Sequence, residues 1–139
     1  MSDIEFVLIK PDAVKRGLVG SIITRFETRG FKIIALKLLR LSRLQADKLY
    51  EVHKEKPFFA NLINHVTSYF SVAMVIQGEE AIPAARKMVG STDPAEAEIG
   101  TIRGDFGSSI TQNVIHAADS EKNAIREMEI FFKDYDFPS

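Results

Sequence analysis

The sequence contains no cysteine. That excludes disulfides, Cys-based zinc sites, iron–sulfur clusters and a thiol nucleophile. It also lacks an excess of either charge: 18 Lys+Arg face 19 Asp+Glu, for a formal net charge of -1. Such neutrality argues against a general polyanion binder, so no specific nucleic-acid partner is expected, though a local basic cluster stays open. No apolar run approaches the ~20 residues of a membrane span. The N-terminus carries Asp3, Glu5 and Lys10, and lacks the basic start and long apolar stretch of a signal peptide. A cytoplasmic protein without membrane association is the expectation. The chain has no G-x-x-x-x-G-K-[ST], no G-x-G-x-x-G and no G-x-S-x-G, so it is not a P-loop protein. Its histidines, His53, His65 and His116, are too far apart for a local metal motif. A metal held by side chains alone is therefore not expected.

What is present fits one domain over residues 1–139. Hydrophobic residues make up 45% and charged residues 27%, the balance of a folded globular chain. Ile4 to Ile9 is too short for a helix and apolar on both parities, which predicts a strand buried on both faces. Leu18, Val19, Ile22, Ile23 and Phe26 recur at helical spacing, and Gly30 stops that helix. Phe31 to Leu41 reads as a second strand. Ser42-Arg43-Leu44-Gln45 has the form of a capping box and predicts a helix to about Lys54. Pro57 breaks it, and Phe58 to Val66 starts another. Val72 to Ile76 is a third strand and Glu79 to Val89 a helix, with Pro83 tolerable in its first turn. Asn113 to Ala117 is a last strand. Asp119 or Ser120 caps a final helix with the stripe Ala124, Ile125, Met128, Phe131 and Phe132, followed by a short tail from Lys133 to Ser139.

Residues 90–112, with Gly90, Gly100, Gly104 and Gly107, are long for a connection in a compact domain. Their Ile99, Ile102 and Phe106 predict an ordered, packed loop. The order of elements matches an α+β, ferredoxin-like βαββαβ sandwich. Its antiparallel sheet is covered by helices, with the long ordered loop and a C-terminal helix added.

His116 stands near the end of the last strand. One reading is a partly buried histidine satisfied by a backbone carbonyl. The other is a nucleophile, because neutral imidazole attacks phosphorus near pH 7 when an acceptor holds its second nitrogen. Glu127, outside the apolar stripe of the final helix, is a candidate acceptor; its plainer reading is a solvated carboxylate. Arg103 lies in the Gly-rich loop and has the fork geometry that suits phosphate oxygens, or it pairs with Asp105 to tie the loop down. The triplet Arg103-Gly104-Asp105 is not read as an adhesion motif. The same stretch carries part of the signature of RNA-binding sheets, but Ser108-Ser109 stands where a second aromatic is needed. Lys10, His53 and Arg86 read singly as solvated charges, and Tyr50 and Phe58 as packing.

Together these residues resemble a nucleoside diphosphate kinase. The similarity runs essentially end to end, through Phe6-Val-Leu-Ile-Lys-Pro-Asp12, Arg16-Gly-Leu-Val-Gly20 and His53-Lys-Glu-Lys-Pro-Phe-Phe59. It continues in Gly90-Ser-Thr-Asp-Pro94, Gly100-Thr-Ile-Arg-Gly-Asp-Phe-Gly107 and Asn113-Val-Ile-His116. The resemblance implies reversible γ-phosphoryl transfer from a nucleoside triphosphate to a nucleoside diphosphate. It implies a ping-pong route through a phosphohistidine, with Mg2+ held mainly by the nucleotide phosphates. His116 falls on the family nucleophile and Glu127 on the carboxylate that supports it. Lys10, Arg86, Thr92 and Arg103 fall on phosphate contacts, with His53 beside the inner phosphate. Lys10 and Asn113 fall on contacts to the sugar hydroxyls. Phe58 falls on the aromatic that stacks on the base, Ile110 would cover its other face, and Tyr50 matches a site tyrosine near the histidine. Homo-oligomers, tetramers or hexamers built from dimers, are implied as well.

The sequence departs from that pattern at His116-Ala117-Ala118-Asp119, where the family usually has His-Gly-Ser-Asp. The missing hydroxyl at Ala118 predicts a slower but active enzyme. It departs again at Ser68-Tyr69-Phe70-Ser71, where Ser-Gly-Pro-Val is usual. The alternative from another class is a non-catalytic ferredoxin-like module that binds nucleotide or RNA and regulates a partner.

Overall fold

The computed structural model describes residues 3–138. Strand β1 (Ile4–Ile9) is followed by the short helix α1 (Pro11–Lys15) and by α2 (Val19–Thr28). Strand β2 (Lys32–Leu39), α3 (Arg43–Leu49), a 3-10 turn (Glu51–His53) and α4 (Phe59–Val66) come next. Then come β3 (Ser71–Gln77), α5 (Ala81–Val89), α6 (Ile102–Phe106), β4 (Ile115–Ala117) and α7 (Glu121–Phe132). The strands form one antiparallel sheet in the order β2-β3-β1-β4. This is the expected sandwich.

The apolar residues on both parities of β1 have their reason in two cores. Ile4, Phe6 and Leu8 face a cluster with α3, α4 and α7, where the rings of Phe6 and Phe131 stack at 5.3 Å. Val7 and Ile9 face a second cluster with α2 and α5. Glu5 interrupts the run yet is fully buried; one carboxyl oxygen accepts the Phe6 N–H at 2.8 Å, and burial pushes the group up to about 9. It is thus held as a neutral acid at ordinary pH.

Several boundaries differ from the sequence reading. The capping box forms: Ser42 accepts the Gln45 N–H and Gln45 accepts the Ser42 N–H. The helix it opens ends at Leu49, and a 3-10 turn carries the chain to His53. Helix α5 begins at Ala81 because Glu80 takes a left-handed φ of 51°. The Gly-rich stretch contains α6, capped by the Thr101 hydroxyl, and Pro11 opens α1; neither helix was expected. Of the tail, residue 139 lies outside the described residues. Among the described residues, no helix is long and apolar enough to cross a membrane.

Candidate active site

Where β1 ends, the chain turns into α1 at Lys10, and β4 runs beside it. Between them lies Val114, a β-branched residue at φ 67°. An Ile115 N–H to Asn113 carbonyl bond of 2.9 Å closes a three-residue turn around it. Such a turn is rare and costs about 1–3 kcal/mol. It explains why β4 starts at Ile115 and not at Asn113. It also sets Asn113 and His116 on either side of the bend.

A cleft of about 220 Å³ opens at this point. Lys10, Tyr50, His53, Phe58, Arg86, Thr92, Arg103, Ile110, Asn113, His116 and Glu127 all line it. The structure therefore brings together every candidate residue named from the sequence. Asp119 and Asn123 line it too and were not anticipated.

Four plain readings fail: Lys10 is no solvated charge, since it is buried, and His116 is satisfied by a carboxylate and not by a backbone carbonyl; those of Glu127 and Arg103 fail too. Glu127 is not solvated: it is 4% exposed, and its Oε1 lies 2.6 Å from Nε2 of His116. A carboxylate at that distance requires the proton on Nε2, which leaves Nδ1 as the nitrogen with a free lone pair. Arg103 does not pair with Asp105. Its Nη1 donates to the Gly90 carbonyl at 3.1 Å and its Nη2 to the Ile115 carbonyl at 2.7 Å. Asp105 instead binds Arg25 of α2 at 2.7 Å and accepts the Gly100 N–H. The loop is tied down from the opposite side, and Arg103 is free to face inward. Its Nε is buried without a protein partner, and burial lowers its pKa to about 10, still cationic near neutral pH.

Lys10 is buried at the cleft floor. Its Nζ donates to the Thr111 carbonyl at 2.7 Å and to Asn113 Oδ1 at 2.9 Å, while Asn113 Nδ2 donates to the Thr92 carbonyl. Desolvation lowers the ammonium to about 7, with Arg103 adding to the fall and Asp12 opposing it. Arg86 donates to the Ala117 carbonyl at 3.0 Å and is otherwise exposed.

Rings line another side. His116 meets Tyr50 edge-on at 5.3 Å, Tyr50 lies 6.3 Å from His53, and His53 lies 5.5 Å from Phe58. Burial and the Glu127 charge push the Tyr50 hydroxyl upward, so it stays neutral; it is buried with no protein partner. Burial, then His116, lowers His53. Ala118 is buried against Phe6, and Glu127 Oε2 is instead approached by Arg126 Nη2 at 3.4 Å. Arg126 carries no motif and could be found only from the fold.

Comparison with known proteins places the chain in a family. A nucleoside diphosphate kinase family model matches residues 3–137. A nucleoside diphosphate kinase of Sulfurisphaera tokodaii is 58% identical over 93% of this chain and 88% of its own length. One of Methanocaldococcus jannaschii is 54% identical over 96% of each. Among solved structures, a halophilic nucleoside diphosphate kinase from Halobacterium salinarum in complex with CDP superposes with a TM-score of 0.95. It is 40% identical and covers 100% of this chain and 93% of that one.

Proposed function

The chain belongs to the nucleoside diphosphate kinase family, and we propose that it carries the γ-phosphoryl group between nucleotides on His116. It is an enzyme, a phosphotransferase acting on nucleotides. The observation that carries the His116 route is the 2.6 Å bond from Nε2 to Glu127 at the rim of a cleft whose floor is cationic.

In the first half-reaction the Nδ1 lone pair attacks the γ-phosphorus. An N–P bond forms, the bond from phosphorus to the β–γ bridging oxygen breaks, and the nucleoside diphosphate leaves with that electron pair. The ring keeps its Nε2 proton, and Glu127 offsets the positive charge that builds on the imidazole. A second diphosphate then takes the group back by the same path in reverse, which is why one cleft serves donor and acceptor. Phosphoryl transfer needs positioning and charge neutralisation more than covalent elaboration. Lys10, Arg86 and Arg103 supply the charge, with Thr92 as a further hydroxyl and His53 beside the inner phosphate. Lys10 and Asn113 are assigned to the sugar hydroxyls. Phe58 and Ile110 sandwich the base, and contact with a π-face tolerates any base. Tyr50 shapes the space beside the His116 ring.

Mg2+ belongs to this reading as an ion carried by the nucleotide phosphates, where it supplies charge neutralisation. Among the described residues no three His, Cys, Asp or Glu side chains gather to hold an ion. Asp119 is the lining carboxylate available to it besides Glu127. A homo-oligomer of dimers, a tetramer or hexamer in the cytoplasm, completes the proposal. Its support is β2, a sheet edge on which Leu36 and Leu38 are exposed. An uncovered apolar edge strand is a pairing surface. Sedimentation at micromolar concentration that gave only monomer would overturn the assembly.

The route is tested with γ-labelled ATP. An acid-labile, base-stable phosphoenzyme that discharges onto a diphosphate is expected, and His116→Ala removes it. Label that persists in His116→Ala, or binding without any label, defeats the route; the second outcome favours the regulatory module.

A further inference from the structure

Behind the cleft, and not lining it, lies a second histidine–carboxylate pair. His65 of α4 places Nε2 3.0 Å from Oδ1 of Asp12 in α1, and both side chains are largely buried. The other oxygen of Asp12 accepts the Val114 N–H at 3.1 Å. The Val114 carbonyl accepts the Lys10 N–H at 2.8 Å. Both backbone polar groups of the strained residue are therefore gripped by the β1–α1 corner. We propose that His65 is a positioning residue for the phosphoryl transfer: by holding Asp12 in place it maintains the Val114 turn that presents Asn113 and His116. The inference rests on the His116 route above.

A β-branched residue leaves the left-handed region unless its surroundings over-determine it. The bond that does this at the Val114 N–H comes from a carboxylate on a short helix of five residues. Asp12 itself would be raised by burial, but the His65 bond and the Lys10 charge more than offset this and hold it ionised. Without His65, one Asp12 oxygen loses its hydrogen bond in a buried setting where Lys10 is the neighbouring cation. Rotation of that carboxylate toward Lys10 would release Val114 and draw Lys10 from Asn113 in one movement. His65 thus acts on the reacting nitrogen from outside the cleft, through Asp12 and the turn that ends one residue before His116.

The test is the single-turnover rate of His116 phosphorylation at saturating ATP, read in variants shown by circular dichroism to be folded. His65→Phe keeps a ring of similar size and removes the donor; it is expected to slow phosphorylation about tenfold, the scale of a sub-ångström misplacement. His65→Gln retains an N–H for Asp12 and should recover most of the rate. Val114→Gly tolerates the turn without help. The double variant His65→Phe/Val114→Gly should therefore lose less relative to Val114→Gly than His65→Phe loses relative to the native chain. A His65→Phe rate within twofold of native overturns the inference, as does a Gln variant no better than Phe, or equal losses in the two backgrounds. If the native chain itself forms no phosphohistidine, it is the His116 route that has failed.

Discussion

The two walls of the cleft are built differently. On the inner wall Lys10, Arg103, Asn113 and Glu127 are buried, and each spends side-chain hydrogen bonds on backbone or on a fixed neighbour. On the outer wall Phe58 is 38% and Ile110 51% exposed. Chemistry needs donors preorganised to within fractions of an ångström, whereas holding any base needs only an apolar face that gives way. In the proposed reading the difference gives precision to the phosphate end and tolerance to the base end.

The largest effect that would sharpen this contrast is at Arg103. Arg103→Ala should lower kcat about 10²–10³-fold, the scale of losing a preorganised donor to developing charge. Because the guanidinium also ties Gly90 to Ile115, a thermal shift of the variant should accompany the rate. An intact rate would dissolve the distinction between the walls. Next is Phe58→Ala, which removes a stacking surface worth about 1–3 kcal/mol. It should raise KM roughly tenfold or more for purine and pyrimidine nucleotides alike, with kcat less affected. A loss confined to one base class would mean that the outer wall reads edges after all.

A subtler effect comes from Lys10. With its ammonium lowered to about 7 in the free protein, about half of the molecules carry it neutral at that pH. A bound triphosphate favours the charged form, so binding takes up protons and affinity rises as pH falls through the window above about 7. Calorimetry in buffers of different ionisation enthalpy at pH 8 should show net uptake, and Lys10→Gln should abolish most of it. The smallest effect is expected at Ala118→Ser. The family resemblance implies that a hydroxyl there helps to hold Glu127, and a rate gain of a few-fold is expected, about 1 kcal/mol or less. No gain would mean that Arg126 already holds Glu127 well enough.

Much of the inner wall was legible before folding was considered. Lys10 follows a buried strand, Arg103 sits between glycines, and His116 closes a short apolar run before a helix cap. What could not be read was why Glu127 matters, since eleven residues of separation become 2.6 Å only when α7 packs across β1. Asp12 was visible only as part of a motif, and His65 only as a histidine too isolated for a metal. Helix α6 was hidden because a five-residue helix leaves no periodicity to detect.

By itself the sequence determined the order of the strands and of the longer helices, the doubly buried β1, the capping box at Ser42 and the set of residues able to handle phosphate. These follow from local rules: side-chain period, capping chemistry and the donor inventory of each residue. The tertiary structure alone decided which nitrogen of His116 is free, that Lys10 is stripped of water, that Arg103 turns away from Asp105, and that Val114 is forced left-handed. Those properties depend on distance and desolvation between groups far apart along the chain, and no local pattern encodes either.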